Sequence, residues 1–445
     1  MAVRHFHHAL KIRTETCFGC THCLKVCPTE AIRIRNGKAV LYENRCVDCG
    51  ECFKACPVQA IYIDQDDFER IHTYEYRIAL LPSIFVGQFS RKYDREQIYE
   101  AIKAVGFTHI CEVEQSTGLL QEQINRYAAE NPDKKPLISS FCPAIIRLIQ
   151  VRFPSLVNNI MLLKPPLDIT ALYCRKKFTD EGINPARIGV FYITPCAAKI
   201  AAIKSPVGED YSMITGVINM DFLFNRVYRH IKNNQSAEVS GSNEKALSAE
   251  AIRWSLTHGE SDHFEGRSFA VDEIHNVIDF LEKVENDEIK NVDFLELRAC
   301  DESCAGGALT TANRFLIAER LRSVKNEDAA SAETSGKTIE NYRDYLEHRI
   351  KIQEIKPRSI MKLDDNIETA MLKMDQVKEI MKLLPGTDCG ICGSPTCQAF
   401  AKDIVQNEAD IRQCIFIQKC RENTGEFTSI ESLRLMKGIW GEEKF

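Results

Sequence analysis

Three stretches of the chain share one order of apolar and polar positions. PLISSFCPAIIRLIQVRF (136–153) runs from a short apolar strand pattern into a helical one, with Cys142 at the change. RIGVFYITPCAAKIAAI (187–203) repeats that order around Cys196. NVDFLELRACDESCAGGALTTANRFLIAERL (291–321) passes from an alternating strand through Cys300, Cys304, Gly306 and Gly307 to another helical run. Pro143 sits where a first helical turn needs no backbone donor, which marks that helix start. Shorter strand patterns, AIRIRNGKAVLY (31–42) and AIYID (60–64), lie near the N-terminus, and DNIETAMLKMDQVKEIMKLL (365–384) has the spacing of an amphipathic helix. Apolar strands alternating with helices predict an α/β core, in which ligands gather beyond the carboxyl ends of strands.

The 445 residues exceed one compact core and imply several domains. A net charge of −6 from 57 basic and 63 acidic residues gives no electrostatic reason for a nucleic-acid partner or an anionic membrane surface. No apolar run is long enough for a membrane span, and the first residues lack the apolar core of a secretory signal. These features predict a cytoplasmic protein. In that reducing compartment its 19 cysteines read as metal ligands rather than disulfides. Cys111, Cys174 and Cys420 fall outside the clusters and read as small apolar fillers. The histidines at 5, 7 and 8 read as solvent-facing strand residues.

CFGCTHCLKVCP (17–28) and CVDCGECFKACP (46–57) both follow C-x2-C-x2-C-x3-C-P, the spacing of a two-cluster bacterial ferredoxin. The fourth cysteine of each run serves the other cluster. One 4Fe–4S cube therefore takes Cys17, Cys20, Cys23 and Cys56, and its partner takes Cys46, Cys49, Cys52 and Cys27. Such a pair carries single electrons and implies an external redox partner and an internal two-electron centre. Near the other end, PGTDCGICGSPTCQAFAKDIVQNEADIRQC (385–414) spaces Cys389, Cys392, Cys397 and Cys414 as C-x2-C-x4-C-x16-C. It resembles the small 4Fe–4S domain of corrinoid iron–sulfur proteins, with structural zinc as the competing assignment. The segment 398–413 reads as a helix delivering the last cysteine. Cys142, Cys196, Cys300 and Cys304 supply enough thiols for a further cube, and a helix N-terminus favours the thiolate.

The middle of the chain resembles the catalytic domain of the iron-only (FeFe) hydrogenases. Ser139-Ser140-Phe141-Cys142-Pro143, Thr194-Pro195-Cys196 with Lys199, and Arg298-Ala299-Cys300 with Cys304-Ala305-Gly306-Gly307 fall in register with that family's three cofactor loops. ALLPSIFVGQF (79–89) matches its first domain strand. The resemblance is nearest to a divergent, sensory branch. It implies that Cys142, Cys196, Cys300 and Cys304 hold a 4Fe–4S cube, and that Cys304 bridges to a two-iron unit bearing CO, cyanide and a dithiolate amine. Lys199 would hydrogen-bond a cyanide, while Gly306 and Gly307 would admit backbone close to the cofactor. Lys199 and Cys304 are thus the candidate catalytic residues.

Several positions depart from the family pattern. Phe141 stands where active members place a proton-relaying cysteine, and a phenyl ring has no exchangeable proton. Cys174 is a conceivable substitute. Asp301-Glu302-Ser303 replaces Pro-Gly-Gly, Thr194 and Arg298 replace methionines, and Ala202 replaces a glutamate. Arg298 and the two acids would bring charge to a generally apolar site.

The expected architecture is α/β with α+β appendages. A two-lobed FeFe-hydrogenase catalytic fold carries an N-terminal ferredoxin-like domain and a small C-terminal Fe–S domain. Residues 1–75 form the ferredoxin domain, 76–350 the catalytic domain, 351–380 a linker helix, 381–425 the C-terminal cluster domain and 426–445 a tail. Polar stretches 233–245 and 323–338 read as surface loops. The function expected is reversible conversion of H2 to protons and electrons at low turnover, in an H2- or redox-sensing role. Its electron partner would be ferredoxin or another redox protein, with a signalling or oxidoreductase subunit as a further partner. The rival is an electron-transfer or scaffold subunit that keeps its cubes and lacks the two-iron unit.

Overall fold

A computed structural model describes residues 6–234, 247–324, 339–358, 363–364 and 366–445. Residue 5 and most of the two polar stretches, 235–245 and 325–338, lie outside the described residues. The chain forms two compact units, Met1–Ala9 with Asp64–Pro357, and Leu10–Ile63 with Arg358–Phe445.

In the unit built from the chain ends, β1 (Leu10–Ile12) pairs antiparallel with β4 (Ile61–Ile63). Between them, β2 (Ile32–Arg35) and β3 (Lys38–Leu41) form a hairpin. It turns at Asn36-Gly37, both at positive φ, the pairing that matches strand twist in a tight hairpin. The C-terminal part is organised by a helix at Ile367–Leu383 and another at Cys397–Val405, which share a core of Val377, Leu384, Phe400 and Ala401. The expected helix over 398–413 stops early. Asn407 adopts a left-handed φ of 62°, and only a short turn at Ile411–Gln413 precedes Cys414.

The larger unit has two parallel sheets. One orders β6 (His109–Glu112), β5 (Tyr76–Leu81), β8 (Ile188–Thr194) and β9 (Gly216–Asn219). The other orders β10 (Ser268–Val271), β11 (Phe294–Leu297) and β7 (Leu137–Ile138). Every residue of β8 is buried, which is why it reads as a continuous apolar run: a parallel strand covered on both faces has no polar side. The alternation seen in the sequence of β11 is not a wet face, because Glu296 is fully buried. His8 is also buried, at 3% exposure and outside any strand, which corrects the expectation of a solvent-facing residue. Among the described residues no helix is long and apolar enough to cross a membrane.

Candidate metal centres

The ferredoxin-like part brings its cysteines together in crossed sets. Burial pushes the Cys23 thiol up to about 12, and Cys17, Cys20 and Cys56 add to the rise. Cys52 is raised by burial and by Cys49 and Cys27, and Cys46 by burial, Asp48, Cys52 and Cys27. Backbone amides already point at several sulfurs. Ala39 donates to Cys17 at 3.3 Å, Ala31 to Cys27 at 3.2 Å and Ala60 to Cys56 at 3.2 Å. At the other end of the chain, Cys389, Cys392, Cys397 and Cys414 line one cavity of about 290 Å³. Burial pushes Cys392 up to about 12, with the other three thiols contributing.

The third set is assembled from three strand ends on two sheets. β7 leads to Cys142 and β11 to Cys300, while β8 of the other sheet leads to Cys196. Cys142 and Cys196 each cap a helix, Pro143–Arg152 and Ala197–Lys204. The Cys142 sulfur accepts the amides of Ile145 and Ala299, which brings the residue preceding Cys300 against it. Burial pushes Cys196 up to about 12; Lys199 opposes the rise and Cys304 and Cys142 add to it. The lowering expected from helix N-termini is therefore reversed. Desolvation outweighs it, because both helix starts are enclosed by the loops from the neighbouring strands.

Gly307 is required by protein packing. A Cβ there would lie 2.5 Å from the Pro195 carbonyl oxygen, and the Leu309 amide donates to that oxygen at 2.9 Å. Gly306 likewise abuts the Asp301 carbonyl. The close approach these glycines permit therefore fastens the Cys304 loop to the Cys196 loop. At Cys23, Cys46, Cys196 and Cys392 the neighbouring thiols add to the rise, so several thiolates together need a cationic core between them. An iron–sulfur cube fits that donor chemistry.

Beside Cys304 the structure opens a cavity of about 910 Å³ whose lining includes Pro82, Ser140, Phe141, Tyr192, Lys199 and Ser255. The Lys199 ammonium is 3.5 Å from the Cys304 sulfur, and its pKa is raised: burial opposes its charge, and Cys304, Tyr192, Cys196 and Cys142 overcome that. The Tyr192 hydroxyl is fully buried and has no hydrogen-bond partner among the described residues. A fixed cation and an unanswered hydroxyl suit a compact anionic inorganic group.

Phe141 lies between two cations, with its ring centroid 3.7 Å from the Arg298 guanidinium carbon and 4.6 Å from the Lys199 nitrogen. Arg298 pairs with Glu260 at 2.8 Å and Glu296 at 3.2 Å, all of them buried. Glu260 also accepts the Ser139 hydroxyl at 2.7 Å, and Glu296 accepts the amides of Glu260 and Ser261. The charge expected of Arg298 is thus neutralised locally. Nor do Asp301 and Glu302 bring charge inward, because they pair with Arg314 and Arg322 at the surface. Glu302 and Ser303 adopt left-handed φ values of 57° and 54°, a region that suits glycine, the residue the resembling family carries there.

Thr194 donates to the Cys196 carbonyl at 2.8 Å and Ala202 lines the cavity. Cys174 is buried beside Cys111 and does not line it. Sequence reasoning missed Tyr192, Asp168, Glu114 and Ser255. Asp168 lines the cavity, and burial pushes its carboxyl up to about 6 against Lys164 and Lys199. Glu114 is fully buried and pushed up to about 7 by burial, opposed by hydrogen bonds from Ser255 at 2.8 Å and Ser83. No spacing marks these residues; an acid inside an apolar run, as at Asp168 in PLDITALY, is the one signal available.

Comparison with known proteins gives three family matches. Residues 78–221 match "Iron only hydrogenase large subunit, C-terminal domain", residues 16–61 a "4Fe-4S dicluster domain", and residues 384–416 a family described as "Putative Fe-S cluster". Iron hydrogenase 1 of Clostridium pasteurianum is 26% identical over 113 residues, covering 23% of this chain and 19% of that protein. The gamma subunit of the acetyl-CoA decarbonylase/synthase complex of Methanocaldococcus jannaschii is 36% identical over 77 residues, 17% of this chain and 16% of that protein. A subunit of the ion-translocating oxidoreductase complex of Azoarcus sp. is 53% identical over 38 residues, 8% of this chain and 21% of that protein. The chain spans a third or less of the length of these curated relatives. Among solved structures, FeFe-hydrogenase HydA1 of Chlamydomonas reinhardtii superposes with a TM-score of 0.47 at 14% identity, covering 64% of this chain and 96% of that one. Three stretches of the chain are thus similar to a hydrogenase domain and to two iron–sulfur cluster families.

Proposed function

We propose that this protein is a hydrogenase-type iron–sulfur oxidoreductase with slow H2 chemistry and a sensory or regulatory use of H2 or redox potential. The reading rests on the Lys199–Cys304 contact at the edge of a cavity lined by Phe141, Tyr192 and Lys199. When bound, 4Fe–4S cubes at the four cysteine sets supply single-electron transfer, and a two-iron unit supplies heterolytic cleavage of H2. Cys142, Cys196, Cys300 and Cys304 would hold the catalytic cube, and Cys304 would bridge to the two-iron unit. Lys199 would place its positive charge beside the Cys304 sulfur and would orient an anionic ligand there. Phe141 withholds the proton relay, and the cations on either side of it fix the ring in place. Proton transfer by a placed group is commonly worth ~10²–10⁴-fold, so turnover is slow. A one-electron carrier such as ferredoxin, or a signalling or oxidoreductase subunit, is the expected partner in the cytoplasm.

Infrared spectra of anaerobically matured protein test this directly, because CO and cyanide stretches arise only from a bound two-iron unit. Their presence supports the proposal. Their absence from protein carrying its full iron complement selects the second reading, an electron-transfer or scaffold subunit. That alternative draws on Phe141, which stands where the resembling family carries its proton-relaying cysteine.

A further inference from the structure

The hairpin β2–β3 does not end at a free edge. The Ile34 amide donates to the Gly393 carbonyl at 2.8 Å, and the Asn36 and Gly37 amides donate to the Gly438 and Ile439 carbonyls at 3.2 and 2.9 Å. Gly393 lies in the ligand loop between Cys392 and Cys397 with φ +80°, and a Cβ there would collide with the Ile34 carbonyl oxygen. Beside this seam Arg33 grips Asp403 through two hydrogen bonds of 2.6 and 2.9 Å, with both side chains almost fully buried. Ser394 adds a bond to the same carboxylate at 2.8 Å, and Thr396 donates to Glu30 at 2.8 Å. A charge buried this deeply is tolerated only while paired, so the seam is part of the fold and not a passing contact.

The seam brings two ligand loops together. Leu24, which follows Cys23, is buried, and its Cδ2 is 3.5 Å from where a Cβ of Gly390 would stand; Gly390 follows Cys389. One leucine side chain therefore separates the Cys23 loop from the Cys389 loop. On the same side, Ile34 packs against the backbone of Gly19, between Cys17 and Cys20.

We propose that the C-terminal cysteine set is the electron port of the ferredoxin-like part, exchanging single electrons with the Cys17, Cys20, Cys23 and Cys56 set across Leu24. The inference rests on the reading that both sets hold 4Fe–4S cubes. Each step moves one electron: the C-terminal cube is oxidised by one unit and the other reduced by one, with no bond or proton change. A one-electron carrier protein supplies or takes the electron at the C-terminal set.

Electron paramagnetic resonance of the reduced full-length chain tests this. Cys49→Ala empties the second ferredoxin set, which leaves any coupling between the other two visible. Magnetic splitting between the Cys17 and Cys389 sets is expected in this background, and its loss is expected when Cys397→Ala or the wedge Gly393→Val is added. Gly393→Val should retain all the iron of its parent. Splitting that survives in Cys20→Ala but not in Cys49→Ala overturns the proposal by assigning the neighbour to the other set. No splitting in Cys49→Ala, or splitting unchanged by either added substitution while Cys397→Ala loses iron, also overturns it. If Cys397→Ala loses no iron, the cluster reading of the C-terminal set fails as well.

Discussion

The two units bring their cysteines together in opposite ways. In the unit of Leu10–Ile63 with Arg358–Phe445, most ligands of a set lie within one run, and short turns with amides aimed at sulfur hold them. In the other unit, Cys142, Cys196 and Cys304 are separated by whole βα segments and meet only because two parallel sheets direct their strand ends to one place. A local site is specified by spacing, whereas an assembled site depends on everything packed around it. Around the assembled site the departures accumulate: Phe141, Arg298, Glu302 and Ser303. Each is absorbed by a neighbour or by backbone strain.

Removing the charge that balances two buried acids should have the largest effect. Arg298→Met leaves Glu260 and Glu296 without their cation and should destabilise the larger unit by about 3–5 kcal/mol in denaturant unfolding. Asp403→Leu, which strands Arg33, provides the matching test in the other unit and should act with similar size. A loss below ~1 kcal/mol at Arg298 would mean that the acids are held by their amide bonds alone.

Glu114 comes next. Its folded pKa, near 7, exceeds the ordinary value of 4.5, so the folded state binds the extra proton between those limits. Stability from this group is complete below about pH 4.5 and declines as pH rises through about 7, by up to ~3 kcal/mol. Glu114→Gln should flatten that slope in thermal melts from pH 5 to 8. An unchanged slope would show that the Ser83 and Ser255 bonds hold the carboxylate ionised.

Phe141→Cys restores an exchangeable proton and should raise H2 evolution from an artificial donor ~10²-fold in protein carrying the two-iron unit. No gain in such a sample would place the proton path elsewhere, with Asp168 on the cavity wall as the first residue to substitute. The smallest expected effect is at Ser303. Ser303→Gly relieves its left-handed backbone and should add about 1 kcal/mol of stability with no change in iron content.

The contrast between the units also explains what the sequence could say. The crossed ferredoxin sets and the C-terminal four cysteines were legible because ligand spacing is itself the constraint. Cys142 and Cys196 were legible as residues at strand–helix changes, and Pro143 marked one of them. The acids that neutralise Arg298 were not, because Glu260 arrives from a separate loop that only the tertiary fold brings near. Tyr192 sits in an apolar run, where periodicity identifies burial but cannot say which buried polar group faces a cavity, and Glu114 sits in the mostly polar stretch EVEQS, which gives no sign of its burial. The overlong helix at 398–413 has a local cause, since the polar QNEAD run carries no periodic signal and Asn407 turns the backbone left-handed.

The assembled site is the claim on which the rest depends, and iron analysis with Mössbauer spectroscopy on Cys196→Ala tests it most directly. Loss of about four irons, and of two more where the two-iron unit is bound, with the spectra of the other sets unchanged is the expected result. An iron content equal to that of the unsubstituted chain would contradict the account, leaving only the ferredoxin-like and C-terminal sets as metal sites.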